Sequence, residues 1–171
     1  MARPARAPPF TALLREAARV RRNAHAPYSG FAVGAAVLAD GRIFAGCNVE
    51  NSAYPLSVCA ERNAIAMAVA AGARAIEAVV VVGGAVRPAA PCGGCRQVMA
   101  EFAGPDVPVV YALPSGPRIE TTVGALLPDS FTAADVAAVA HLSAAGAATA
   151  ADTSDAHSRP RPKVKPKPRR K

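Results

Sequence analysis

The 171-residue chain predicts an α/β fold, a three-layer α/β/α sandwich built on a mixed five-stranded sheet. Three observations predict it. Helical and strand-like periods alternate along the chain instead of clustering. Ile76–Val82, apolar except for Glu77 and rich in β-branched residues, suits a strand covered on both faces. Asp40-Gly41 separates two further β-like runs, and both residue types accept the positive φ of a two-residue hairpin turn.

The elements follow in order. Phe10, Leu13, Leu14 and Ala17 recur at helical spacing, predicting an amphipathic helix over Thr11–Arg22 that Pro27-Tyr28-Ser29-Gly30 closes off. Phe31–Ala39 and Arg42–Asn48 are the hairpin strands, and Val49–Val58, with Pro55, is a loop. An alanine-rich helix fits Cys59–Ala71, with Gly72 as its C-terminal stop. Strand Ile76–Val82 precedes a second helix, Cys92–Phe102, which Pro91 opens and Gly104-Pro105 closes. Val107–Ala112 and Ile119–Val123 supply the last strands. A short helix over Thr132–His141 takes Thr132 as N-cap, with Asp135 three residues on.

Composition limits what this fold can be. Half of the chain (51%) is apolar, yet aromatic residues make up 5% and Trp is absent, so alanine and valine fill the core. The formal charge of +8 points at first to a nucleic-acid binder. Residues 1–142 hold 12 Arg, no Lys and 10 acids, a surplus of two; residues 143–171 hold eight basic and two acidic residues, a surplus of six. The basicity therefore belongs to a tail. There Ala, Ser and Thr give way to alternating prolines and cations from Arg159 to Lys171, a composition that denies helix and sheet alike. The expected organisation is a folded domain over residues 1–142 and a disordered basic tail over 143–171. No apolar run approaches the roughly 18–20 residues of a membrane span. Arg3, Arg6, Arg15, Glu16 and Arg19 interrupt any signal-peptide pattern, and Arg21-Arg22 lacks the context of an export signal. Four cysteines are too few for a disulfide framework of this length. The expectation is a cytoplasmic protein.

The cysteine spacing points to chemistry. Cys59-Ala60-Glu61 stands at one expected helix start and Pro91-Cys92-Gly93-Gly94-Cys95 at another. A C-x-x-C pair at a helix N-terminus sets two sulfurs on one side of a tight turn, where the helix dipole favours thiolates. With Cys59 as third ligand, tetrahedral zinc keeps one open position, the arrangement of catalytic sites. Glu61, in the same first turn as a ligand, is placed to take a proton from a water acidified there. Taken singly, the pair could be a redox dithiol and Glu61 an ordinary first-turn acid; the combination is far more specific. Cys47 reads as a small buried residue within a strand, and His25, His141 and His157 show no ligand spacing.

Around these residues stand Tyr28-Ser-Gly-Phe31-Ala-Val-Gly-Ala-Ala, Gly46-Cys-Asn48-Val-Glu50-Asn51, Tyr54-Pro-Leu-Ser-Val-Cys59-Ala-Glu61-Arg62 and Cys92-Gly-Gly-Cys95-Arg96-Gln97-Val. Over about residues 10–140 the chain resembles the cytidine deaminases of the small homotetrameric, free-nucleoside type. The resemblance implies one zinc per chain on Cys59, Cys92 and Cys95, with Glu61 as the proton-transferring residue. It implies substrate contacts from Phe31 and Ala60 and ribose contacts from Asn48 and Glu50. Ser52, Tyr54 and Phe131 would act across subunit boundaries, in a homotetramer with sites at its interfaces. The implied reaction is hydrolytic deamination of cytidine or 2′-deoxycytidine in pyrimidine salvage. Charge arithmetic adds Arg62: three thiolates and Zn²⁺ sum to −1, and a guanidinium reaching the cysteines of the second helix would withdraw charge from the sulfurs. The rival readings are a deaminase of another cytosine compound such as blasticidin S, of cytosine within nucleic acid, or a zinc-stabilised binding module without catalysis. Asn48 and Glu50 speak against a modified sugar, the weakly charged core against nucleic acid as substrate, and Glu61 against a purely structural zinc. Weak polyanion binding is left to the tail.

Overall fold

The computed structural model describes residues 7–137. These divide after Thr132, and residues 133–137, which are helical, belong to a second unit. The remainder of the expected Thr132–His141 helix, the expected boundary after Leu142 and the tail lie outside the described residues.

Helix α1, Phe10–Arg21, buries Leu13, Ala17 and Val20, one stripe at spacings of four and three. The hairpin of β1 (Gly34–Ala39) and β2 (Arg42–Cys47) pairs Ala39 with Arg42. Its two turn residues adopt the positive φ expected of them, 50° at Asp40 and 68° at Gly41. The first strand starts three residues later than its composition predicts. Residues 31–33 are bound instead to the Asn48 side chain, whose Oδ1 accepts from Val33 N at 2.8 Å and whose Nδ2 donates to Phe31 O at 2.9 Å.

A single 3₁₀ turn, Tyr54–Leu56, interrupts the loop that follows. Helix α2 (Ala60–Ala70) has Cys59 as its N-cap residue, and Gly72, at φ 97°, lies just past its end. Strand β3 is Ala78–Val82. The acid just before it, Glu77, donates its N–H to Leu38 O of β1 at 2.8 Å, and its carboxylate accepts from Gly41 N, tying down the hairpin turn. Helix α3 (Gly93–Phe102) has Cys92 as N-cap residue, and strands β4 (Pro108–Ala112) and β5 (Arg118–Thr122) follow. The sequence reading carried β5 into Val123; instead Thr122 Oγ1 accepts from Ala125 N at 3.2 Å and starts a four-residue helix, α4 (Val123–Leu126).

The sheet order is β2-β1-β3-β4-β5. Only β3 and β4 are parallel, joined through α3; the other neighbours are antiparallel. The period of two along each strand sorts the core into two layers. Ala36, Leu38, Ala78, Val80, Val82 and Val110 pack with Leu13 and Ala17 of α1. Ala35, Val37, Ala39, Val79, Val81 and Val109 face the other way, with Ala64, Ile65 and Ala68 of α2 and Cys95 and Met99 of α3. The expected three-layer sandwich is thus realised with small side chains: α1 on one face, α2 and α3 on the other, where Val123 of α4 joins their layer. No helix among the described residues is long and apolar enough to cross a membrane.

Candidate active site

Helices α2 and α3 lie on the same face of the sheet, and their N-termini bring together cysteines 33 residues apart in sequence. Cys59 Sγ stands 3.8 Å from Cys92 Sγ, and Cys92 Sγ stands 3.4 Å from Cys95 Sγ. All three sulfurs lie within 4.8 Å of one another. Sulfurs bound at ~2.3 Å around a tetrahedral zinc stand about 3.8 Å apart, so the donor set fits that ion in both chemistry and spacing. Shared protons show the same crowding. The Cys95 thiol donating to Cys59 holds the Cys59 thiol down to about 6, while Cys95, as the donor, is pushed upward. A thiolate is already favoured at one corner of the triad, and a cation would favour it at all three. Cys47 stays half-buried in β2 and takes no part in the cluster.

Glu61 lies one residue inside α2, with 5% of its surface exposed. Burial raises its pKa above the usual carboxylate value, against weaker opposing hydrogen bonds from its own backbone N–H and from Cys95. Such a carboxyl holds its proton to a higher pH than an exposed one, which suits a group serving first as base and then as acid.

Phe31, Asn48, Cys59, Ala60, Glu61 and Cys92 line one cavity of about 160 Å³, together with Val33, Val81, Ala89 and Ala90. Six of the expected site residues therefore meet around one space. Glu50 and Tyr54 line a second cavity, of about 310 Å³, with Tyr28, Ser29 and Ser57. The Glu50 carboxylate accepts from the backbone N–H groups of Tyr28 (2.9 Å) and Ser29 (3.2 Å) and from the Ser29 hydroxyl, which lower its pKa. Tyr54 is 70% exposed and meets Tyr28 edge-on, with ring centroids 5.7 Å apart. Ser52 and Phe131 are exposed and line neither cavity; the Phe131 carbonyl accepts from Gln97 Nε2 at 2.7 Å.

A model of the cytidine and deoxycytidylate deaminase zinc-binding region matches residues 10–111. The chain belongs to this deaminase family. It is 48% identical over 125 residues to a cytidine deaminase of Sporosarcina psychrophila, covering 72% of this chain and 92% of that one. A cytidine deaminase of Halalkalibacterium halodurans is 46% identical over 125 residues, 72% of this chain and 95% of its own. Among solved structures, the cytidine deaminase of Burkholderia pseudomallei superposes with a TM-score of 0.68 at 49% identity, over 71% of this chain and 98% of that one.

In this deaminase, Arg62 departs from the role its position led us to expect. It is exposed and lines a groove with Val58, Val69, Val98 and Phe102, toward the middle of α3 and away from its cysteine-bearing end. Among the described residues no hydrogen bond joins it to a cysteine; its charge is the smallest of the influences on Cys59. The side chain bound behind the ligand turn is Arg96, whose Nε donates to Pro91 O at 2.8 Å and whose Nη1 donates to Leu126 O at 2.9 Å. Sequence reasoning passed over Arg96, although the signal that marked Arg62, a cation in the first turn of a helix, marks it equally. Ala89, Ala90 and Val81 were missed too, because small apolar residues carry no chemical signature.

Proposed function

We infer that the protein is a zinc-dependent cytidine deaminase, converting cytidine or 2′-deoxycytidine and water to uridine or 2′-deoxyuridine and ammonia. The observation that carries this reading is the buried Glu61 carboxyl, its pKa raised, lining one cavity with two of three clustered sulfurs. Zinc held by Cys59, Cys92 and Cys95 would supply the Lewis acidity that makes water a nucleophile at neutral pH. Glu61 takes the proton released by the attacking water and delivers it to N3 as C4 becomes tetrahedral; it then takes the proton of the new C4 hydroxyl and gives it to the departing amino group, so that the C–N bond breaks as the C4 carbonyl forms. One carboxyl thus moves each proton in turn, and ammonia leaves neutral. Phe31 and Ala60 bound the space for the pyrimidine. Asn48 and Glu50 serve the ribose hydroxyls: although engaged with residues 28–33, the amide keeps a second N–H and the carboxylate a further lone pair.

The same reading makes the active form a homotetramer, with Ser52, Tyr54 and Phe131 completing neighbouring sites. It is supported by the exposure of Tyr54 (70%), Leu56 (66%) and Phe131 (63%), large apolar side chains that a partner would cover. It also places the enzyme in the cytoplasm, in pyrimidine salvage, where free thiols persist to bind metal. Ammonia release on cytidine, 2′-deoxycytidine and a cytosine oligonucleotide tests the assignment: turnover is expected on the nucleosides and not on the oligonucleotide. Glu61→Gln, which keeps shape and metal ligands, should lower the rate by at least ~10²–10⁴-fold with zinc content unchanged. Comparable turnover in that variant would remove Glu61 from the mechanism.

A further inference from the structure

The turn that carries two of the three sulfurs is rich in glycine. Helix α3 opens with Gly93-Gly94, and a Cβ added at either glycine would meet nothing within 4 Å. Paired glycines give the backbone its greatest freedom, and here no packing takes that freedom away. Cys95 is buried and fixed by the core, whereas Cys92 is exposed. Fully buried Pro91 and the backbone bond from Arg96 N to Cys92 O (3.0 Å) hold the Cys92 side in part, and its exposed ligand is open to a further restraint from a side chain.

Arg96 supplies one. Its guanidinium reaches back past the helix start to Pro91 O (2.8 Å), the carbonyl that directly precedes Cys92, and across to Leu126 O (2.9 Å), the last residue of α4. Both acceptors lie where backbone carbonyls lack regular partners, one in a loop and one at a helix end. The guanidinium is planar and rigid, so bonding two carbonyls at once fixes the separation of the two segments; a flexible ammonium cannot do so. A cation in the first turn of a helix is unfavourable against the dipole, a cost that these two charge-assisted bonds offset. The next residue, Gln97, binds Phe131 O at 2.7 Å and extends the same connection along the C-terminal segment.

We propose that Arg96 is a positioning residue for the metal centre: by clamping the carbonyls of Pro91 and Leu126 it holds Cys92 where it can ligate the ion. The proposal rests on the zinc reading above. It concerns geometry, so charge alone does not satisfy it. The test compares Arg96→Lys and Arg96→Ala with the unaltered protein and with Cys92→Ala, all at full length. Cobalt(II) replaces zinc, so that the thiolate-to-cobalt charge-transfer absorption counts sulfur ligands. Release of zinc to a chelating dye gives metal retention, and thermal melting reports the fold. Outer-shell partners of metal ligands are worth 10–100-fold in affinity. Arg96→Lys is therefore expected to release zinc about 10–100-fold faster and to lose sulfur-to-cobalt intensity toward the level of Cys92→Ala, while melting within a few degrees of the unaltered protein. Should Arg96→Lys match the unaltered protein in absorption and release, charge rather than the clamp would suffice, and the proposal would be overturned. A lowered melting temperature with unchanged metal spectra in either variant would also overturn it, showing a merely structural role. Failure of the unaltered protein to take up zinc or cobalt would instead defeat the zinc reading itself.

Discussion

At the scale of single residues, Glu61 combines two properties that oppose each other. Its burial makes it a useful proton carrier and at the same time a burden on the metal-free fold. Its folded pKa lies above the ordinary 4.5, so the neutral form is tolerated and the charged form is not. The stability it contributes is fully present below pH 4.5 and is lost as pH rises through the folded value. In chelator-treated protein, Glu61→Gln should thus raise the melting temperature relative to the unaltered chain, by a margin that is near zero in acid and grows as the pH climbs above 4.5. A margin independent of pH would show that the carboxyl titrates alike in the folded and unfolded chain, so that burial does not raise its pKa. The clustering of Cys59, Cys92 and Cys95 and the placement of Glu61 beside them were legible because their spacing is local to two helix starts. The engagement of Glu50 with Ser29 and of Asn48 with Phe31 and Val33 was not, since those bonds join residues 15 to 21 positions apart by a path that only the folded sheet provides.

At the scale of elements, helix α1 sits unusually close to the sheet. A Cβ built on Gly34 would stand 2.0 Å from Ala17 O and 2.7 Å from Arg21 N, both backbone atoms that cannot swing aside. Gly34→Ala must therefore lift α1 from β1. We expect a loss of at least ~1–3 kcal/mol, the usual range for overpacking, read as a fall in denaturation midpoint. Gly104→Ala, where the added atom meets nothing within 4 Å, serves as the control and should be nearly neutral. Equal midpoints for the two variants would contradict the close approach. The hairpin turn was legible from Asp40-Gly41, and both long helices flanking the metal site were legible to within two residues. Helix α4 was hidden because Thr121-Thr122-Val123 continues a β-branched pattern; the capping bond of Thr122 overrides it.

At the scale of the whole molecule, the family relatives align to only part of the chain. The Sporosarcina enzyme is matched over 92% of its length by 72% of this one, and the strongly basic residues 143–171 lie beyond the resemblance. Truncation after Leu142 should leave turnover of free nucleoside almost unchanged while removing any salt-sensitive retention on immobilised polyanion. An inactive truncated chain would move the domain boundary toward the C-terminus. The sheet order carries one more consequence, for the time course of assembly. Hairpins β1–β2 and β4–β5 close over short loops, but Cys59 and Cys92 stand on opposite sides of β3 in sequence, and β3 finds its parallel neighbour only through the α3 crossover. Non-local pairings of this kind form late, after the entropy of closing long loops has been met. Metal capture is then the last event of folding rather than its nucleus, and the rate at which a refolding chain acquires zinc measures completion of the β3-α3-β4 unit.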